Sequence, residues 1–401
     1  MLDFDLAQAR LAAAGSKPSL AEPCSVSAAL GRILADDVIA TYDSPPADNS
    51  AMDGYAIRMA DYAPDAVLPV QQRCYAGEAP QPLQAGKAIR LFTGSLIPPG
   101  AQTVVMQEHC VETDAGVQIQ APPQLGQFIR ARAGDVAADA CLIAGGTRLD
   151  ATHIALLASQ GLTRVSVRAR LRVGILSTGD ELVAPGQARQ NHQVYNCNAP
   201  MLAALLESLG CAPAAVQHVR DDEAALRAAF TALSRECDLV LSVGGVSVGE
   251  RDLVKPALAA LGATLDLWRV RMKPGKPVAL AHLGDTPVVG LPGNPVSAYV
   301  VCSLLVSPLI RAMQGRTDLY PPTSRAVLRT PKPLFDPREE FIRVQWRCNE
   351  DGVAEVTPYR SQDSSVVSSL TWAHGLARIP PAQELVDGDT VRYYDWAHWT
   401  R

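Results

Sequence analysis

The chain has 401 residues, 48% apolar and 19% charged, with 36 Lys and Arg against 41 Asp and Glu. It is too apolar and too weakly charged for a disordered chain, and its length suits about two to four domains. A net charge of -5 argues against a general nucleic-acid binder, which needs a basic surface. No apolar run reaches the roughly 18 residues of a membrane span. The longest, around Tyr299–Ile310, is broken by Ser and Pro. The first residues, Met1 to Asp5, are acidic and lack a basic-then-apolar leader pattern. Nine cysteines are scattered with no C-x-x-C pair, which argues against both a zinc ribbon and a disulfide framework. The expectation is a soluble, cytoplasmic protein with reduced thiols that binds neither nucleic acid nor membrane.

Residues 1–44 read as helical. Leu2 to Ala14 is rich in Ala and Leu, and Ser27–Ala40 carries Leu30, Ile33, Leu34 and Val38 at helix spacing. Ser44-Pro45-Pro46 ends that pattern. Across 45–137 the runs Val67–Gln71, Ala88–Phe92, Thr103–Gln107 and Gly116–Gln120 are short and separated by turns, which predicts a small β module. A helix returns over Asp150–Gln160, with Asp150 as N-cap and Gly161 as C-cap. The β module is therefore predicted to be inserted into a helical unit built from 1–44 and 138–170.

Strand-like and helix-like runs alternate over 171–318. The strands are Arg172–Leu176, Ala214–Val219, Asp238–Val243, Leu265–Val270, Pro277–Ala281 and Pro287–Leu291. The helices are Ala199–Leu209, Glu223–Ser234, Leu253–Leu261 and Val296–Met313. This predicts a doubly wound, mostly parallel α/β sheet, which binds ligands beyond the carboxyl ends of its strands. Over 319–401 the runs Arg325–Arg329, Glu340–Trp346, Gly352–Pro358 and Thr390–Asp395 predict a closing β-barrel or sandwich.

Three polar loops follow strands of the α/β segment and are predicted to share one edge. They are Ser177-Thr178-Gly179-Asp180-Glu181, Gly244-Gly245-Val246-Ser247-Val248-Gly249, and Pro292-Gly293-Asn294-Pro295-Val296-Ser297. Glycine lets backbone N–H groups approach an anion, and the third loop opens a helix, whose N-terminus favours negative charge. Asp180, Glu181, Asp221, Asp222 and Asp252 lie at the same edge. Carboxylates beside phosphate-cradling loops suit Mg²⁺. Helix capping competes as an explanation; it is favoured for Asp222, and function for Glu181 and Asp252. In the basic run that follows, alternation puts Arg269, Arg271 and Lys273 on one strand face. A turn at Pro274-Gly275 could bring Lys276 back beside Lys273, a pairing suited to an oxyanion, although a solvated face is the default.

These stretches, with Asp48-Asn49-Ser50-Ala51-Met52-Asp53-Gly54-Tyr55-Ala56 and Met272-Lys273-Pro274-Gly275-Lys276-Pro277, together resemble the MoeA-type molybdenum insertases, the family that includes the C-terminal half of gephyrin. The likeness spans essentially the whole chain. It implies Mg²⁺-dependent reaction of adenylylated molybdopterin with molybdate, releasing AMP and molybdenum cofactor. It also implies a homodimer whose active site is shared between subunits, with molybdopterin adenylyltransferase and molybdoenzyme acceptors as possible partners.

By the same resemblance, Asp53 and Thr93 come from the partner subunit, and Glu181, Asp221 and Asp252 form the acidic set for Mg²⁺ and nucleotide. Lys273, Lys276 and Ser297 serve molybdate and phosphate, and Arg343 and Ser364 help hold the oxyanion. Asp135 is an active-site acid; its context, Arg132-Ala133-Gly134-Asp135, departs from the family's Arg-Gly-Glu-Asp. Thr178, Gly179, Gly244, Gly245, Ser247, Pro292, Gly293 and Asn294 complete the binding set. Two alternatives stand beside the insertase: adenylylation of molybdopterin, suggested by the α/β segment, and a non-enzymatic scaffold.

Overall fold

Residues 1–245 and 252–400 are described in this computed structural model, and they divide into two units. One unit comprises Met1–Asp36, Gly145–Ile154 and Arg164–Arg401; the other comprises Asp37–Ala144 and Ala155–Thr163.

The larger unit is organised by a six-stranded sheet. Its order is Ala215–Val219, Val173–Thr178, Leu239–Val243, Thr286–Leu291, Ala279–Leu283, Thr264–Trp268. The first four strands are parallel, and the last two join antiparallel at one edge. Every residue of Val173–Thr178 and Leu239–Val243 is buried, as a sheet covered on both faces requires. The pleat then sorts the side chains. Ile175, Leu239, Leu241 and Val289 pack with the helices Asn198–Ser208 and Pro295–Met313. Leu176, Val240 and Val288 pack with Glu223–Glu236 and Val254–Ala260. The doubly wound arrangement is as the alternation predicts.

Pro295–Met313 runs beyond the apolar stretch seen in the sequence and is long and apolar enough to cross a membrane. Its most apolar span is nevertheless 89% buried inside the fold, so it is a core helix. The helix widens to π geometry over Cys302–Val306. Pro308 explains this: it offers no N–H, and its ring would strike the carbonyl one turn earlier.

The C-terminal strands form a closed barrel, which decides between the two predicted forms. Glu339–Cys348 pairs with Ala354–Pro358 on one side and Gly375–Ile379 on the other, and Ser324–Leu328 and Thr390–Asp395 complete the ring. The sequence reading missed Gly375–Ile379. Met272–Lys273 leaves the α/β sheet to pair in parallel with Glu339–Glu340.

The N-terminal helix, Phe4–Ala14, is capped by Asp3 and packs Phe4, Ala7 and Leu11 into the α/β core. The predicted helix over Ser27–Ala40 does not form. Gly31, Leu34 and Ala35 instead donate backbone N–H groups to Leu149, Thr147 and Ser166, and Gly31 takes φ +74°. Ile33 and Leu34 are buried through this pairing, while Leu30 is 63% exposed.

The smaller unit contains a four-stranded sheet, in the order Val70–Cys74, Ala88–Leu91, Gly54–Ile57, Thr103–Met106. A three-stranded sheet of Val67–Leu68, Gly116–Ile119 and Cys110–Thr113 joins it. Gly54 is required here, because a Cβ would stand 2.1 Å from the Val105 carbonyl oxygen.

Candidate active site

In the larger unit, the loops after the parallel strands meet at the carboxyl edge of the sheet. Thr178 closes its strand and donates its hydroxyl to Asp221 Oδ1 at 2.6 Å, linking two neighbouring strand ends. His218 Nε2 lies 3.1 Å from the Gly179 carbonyl oxygen. Gly244 and Gly245 both take positive φ, +92° and +62°. A Cβ on Gly244 would stand 2.8 Å from the Thr178 carbonyl oxygen, and one on Gly245 2.7 Å from Val254 Cγ2. Only glycine fits this turn, which leaves open backbone at the loop's base. Ser247 lies outside the described residues.

The carboxylates divide by what they do. Asp222 Oδ1 accepts the Ala225 N–H at 2.8 Å, so it is the N-cap that its position predicted. Asp252 is not a cap: both its carboxylate oxygens are buried, with no hydrogen-bond partner among the described residues. Burial, with Asp221's charge beside it, pushes the Asp252 carboxyl up to about 6. A buried carboxyl in this state calls for a proton or a cation, and Mg²⁺ needs only one or two carboxylates besides water and phosphate. Asp221 and Asp252 therefore fit a magnesium ion. Glu181 does not join them. It is exposed, and its carboxylate folds back over Gly179, with Oε2 2.7 Å from where a Cβ would stand. Among the described residues, no group of three or more His, Cys, Asp or Glu side chains is placed to hold a metal.

Glu181 instead lines a cleft of about 610 Å³ with Tyr195, Asn196, Asn198 and the Pro292–Ser297 loop. Asn198 donates Nδ2 to the Gly293 carbonyl at 2.7 Å. Asn294 donates Nδ2 to Ser364 Oγ at 2.9 Å, and the Val296 N–H reaches the Ser364 carbonyl at 3.2 Å. Ser297, at the start of the helix, is buried. Pro292, Gly293 and Asn294 thus hang between a helix of the α/β layer and a loop of the barrel.

The basic residues are less alike than their spacing suggests. The strand ends at Trp268 and Arg269 takes φ +80°, so the predicted shared face of Arg269, Arg271 and Lys273 does not persist. Lys273 Nζ lies 2.9 Å from both Asp336 Oδ2 and Glu340 Oε1. Burial alone would lower its pKa, but the bonds to Glu340 and Asp336 outweigh that and hold it above the usual lysine range. Lys276 is exposed and makes no ion pair among the described residues. The two ammonium groups are thus not an equivalent pair. Arg343 is fully buried, and its guanidinium donates to Ser369 Oγ and to the Ser361, Gln362 and Asp363 carbonyls.

The smaller unit holds the other candidates. Asp53 Oδ1 accepts the Thr93 N–H at 2.7 Å and the Thr93 hydroxyl at 2.8 Å. These bonds, the backbone one first, hold the Asp53 carboxyl below the usual carboxylate range. Asp135 is exposed on a turn, its N–H bonded to the Ser44 carbonyl at 2.9 Å.

Three family descriptions match this chain in order: MoeA N-terminal region (domain I and II) over residues 2–161, probable molybdopterin binding domain over 174–312, and MoeA C-terminal region (domain IV) over 325–396. The chain is similar to a molybdopterin molybdenumtransferase of Haemophilus influenzae, 37% identical over 373 residues that cover 92% of each. It is 41% identical to a Nostoc protein of the same name over 305 residues, 74% of this chain and 70% of that one. A solved MoeA structure from Pyrococcus horikosii covers 100% of both chains with a TM-score of 0.82 and 28% identity. This chain belongs to the MoeA family. It is a transferase of molybdenum cofactor biosynthesis.

Within that family frame, the molybdopterin-binding match contains the strand-end loops, Asp221, Asp252 and both lysines, while Arg343 and Ser364 fall in the domain IV match. The sequence reading missed the cleft residues Tyr195, Asn196 and Asn198. Their only sequence signal is a pair of asparagines, Asn196 just before the helix Asn198–Ser208 and Asn198 opening it, a spacing that reads equally well as capping.

Proposed function

We propose that the protein inserts molybdenum from molybdate into adenylylated molybdopterin and releases AMP and molybdenum cofactor, with Mg²⁺ bound at Asp221 and Asp252. The observation that carries the reading is the glycine cradle at Gly244 and Gly245 beside the unpartnered Asp252 carboxylate. Magnesium there would screen phosphate charge and stabilise a departing phosphoryl oxygen. The remaining work belongs to the chain. Thr178 fixes Asp221 by its hydroxyl. Gly244 and Gly245 let backbone approach the pyrophosphate, and the helix opening at Pro295 favours an anion at its start. Lys276 supplies an uncommitted cation for the oxyanion. No protein nucleophile is required, because positioning and electrostatics suffice for this transfer.

The reading includes a cytoplasmic homodimer in which the partner contributes its Asp53–Thr93 pair. It keeps the division into 1–44 with 138–170, 45–137, 171–318 and 319–401. Glu181 is assigned to the cleft rather than to the metal.

The deciding assay supplies adenylylated molybdopterin, molybdate and Mg²⁺ and follows AMP. AMP release that depends on molybdate is expected. Consumption of ATP with free molybdopterin would instead indicate an adenylyltransferase, and neither activity would indicate a scaffold. The lysines give a second prediction. Lys276→Ala should raise the KM for molybdate by about tenfold, roughly one lost charge-assisted contact, with Tm unchanged. Lys273→Ala should lower stability on the order of 2 kcal/mol in urea titration, because it takes away the ion-pair partner of Glu340 and leaves Asp336 to Arg338 alone. Equal effects of the two variants on KM and Tm would contradict the distinction.

A further inference from the structure

The four-stranded sheet of the smaller unit sets one row of residues side by side. Cys74 and Gly54 are both register partners of Leu91, so the next residues out along this edge are Tyr75, Phe92 and Asp53. Arg90 lies two residues before Phe92 and pairs with Tyr55, which puts all three on one face. Rings and guanidinium stack in order there. Arg90 Cζ stands 4.8 Å from the Tyr55 ring centroid and 5.2 Å from that of Phe92. Arg90 Nη2 bonds Gln107 Oε1, and its buried Nη1 has no hydrogen-bond partner among the described residues, so the cation meets ring faces. Tyr75 lies against Phe92 with 4.3 Å between centroids and 8° between planes. Burial falls along the stack: Tyr55 and Arg90 are 3% and 7% exposed, and Tyr75 is 50% exposed.

The outer ring is nevertheless held. Ser95, fully buried, donates its hydroxyl to the Cys74 carbonyl at 2.8 Å and accepts the Phe92 N–H at 3.2 Å, which ties the two strand ends together. The Glu78 N–H reaches the Tyr75 carbonyl at 3.1 Å, and Glu78 Oε2 accepts the Tyr75 N–H at 3.0 Å. Beyond this turn the ground is open, since a Cβ on Gly77 would meet nothing within 4 Å. Folding gains little from fixing an aromatic ring with half its surface in water. A rigid flat face at the surface is what a flat ligand binds with little ordering cost. Thr93, the residue after Phe92, holds Asp53, so the ring stack and the Asp53 carboxylate flank one turn.

We propose that Tyr75, backed by Phe92 and Arg90, is a stacking platform for a planar heterocycle of the substrate. Adenylylated molybdopterin offers two, adenine and pterin, and each presents a π-face. This rests on the reading above that the smaller unit contributes its Asp53–Thr93 pair to the site. Stacking uses the ring and not the phenol hydroxyl, so any aromatic side chain serves at this position.

Tyr75→Leu in the full-length protein removes the ring and keeps apolar bulk. In the AMP assay, the KM for adenylylated molybdopterin is expected to rise about tenfold or more, while kcat and the KM for molybdate move less than about threefold and Tm stays level. Tyr75→Phe should return that KM to within about threefold of wild type. An unchanged KM in Tyr75→Leu, or a Tyr75→Phe as impaired as Tyr75→Leu, would overturn the proposal. Equilibrium dialysis without molybdate then assigns the ring, with AMP and unsubstituted pterin as separate probes. Weakening of AMP by about tenfold or more in Tyr75→Leu places adenine on the platform, and the same loss for pterin places the pterin there. Equal affinity of wild type and Tyr75→Leu for both probes would overturn the proposal. Phe92→Leu, which takes away the backing ring, should weaken the same probe as Tyr75→Leu, and loss of the other probe instead would count against a shared stack. Wild type that releases no AMP yet binds a probe through Tyr75 would defeat the proposed function and leave the platform standing.

Discussion

Asp252→Asn is expected to raise the melting temperature of the metal-free protein while lowering molybdate-dependent AMP release by at least about a hundredfold. Both effects have one cause. The Asp252 oxygens are buried without partners among the described residues, and burial together with Asp221 lifts its pKa from an ordinary 3.8 to about 6. At pH 7.5 the folded protein therefore carries a repelled, poorly solvated charge. Asparagine removes the charge and keeps the shape, a relief on the order of 1 kcal/mol once solvent screening is allowed for. In a chain this long that corresponds to roughly 1–4 °C.

The pH dependence follows with a definite sign. The folded carboxyl holds its proton more tightly than the unfolded one, so its contribution to stability is greatest below the ordinary value and is lost as pH rises through about 6. In EDTA, this part of the wild-type Tm should fall between pH 5 and 7 and be absent from Asp252→Asn. Magnesium competes for the same oxygens, so its affinity should weaken from pH 7.5 to 5.5 in calorimetric titration. An Asp252→Asn protein that is less stable without metal, or fully active with it, would remove Asp252 from the cation site.

The α/β layer was legible because its signals are local. Val173–Thr178 and Leu239–Val243 are continuous apolar runs, and the Asp222 cap stands beside the helix it starts. Reading failed where long-range partners decide. Ile33 and Leu34 keep helix spacing yet are buried by backbone pairing with residues near 148 and 167. The ion pairs of Lys273 had no signal in the sequence because Asp336 and Glu340 lie far along the chain. The carbonyls that hold Arg343 belong to a loop with no periodic pattern, so these bonds had no signal in the sequence. Asp252 was the reverse case. Its position before a helix invited a capping role, and the absence of any bond to that helix is what marks it.

Mixing two inactive variants should restore activity if each site draws on two subunits. Asp53→Ala removes the carboxylate that the Thr93 N–H and hydroxyl hold charged in the smaller unit. Asp252→Ala removes the buried carboxylate of the larger unit. Each homodimer alone should fall at least about a hundredfold in AMP release. In a heterodimer with shared sites, one site combines both lesions and the other receives neither. Random reassortment of equal amounts makes about half the dimers heterodimers, so about a quarter of wild-type activity should return, after a delay set by subunit exchange. Thr93→Val offers a graded control. It keeps the backbone donor to Asp53 and deletes the hydroxyl donor, so its loss should be nearer tenfold and should be complemented by Asp252→Ala in the same way. If each subunit instead supplied its own Asp53, the mixture would stay as inactive as its parts, because no subunit would carry both carboxylates. The result therefore separates a composite site from a self-contained one without relying on a further structure.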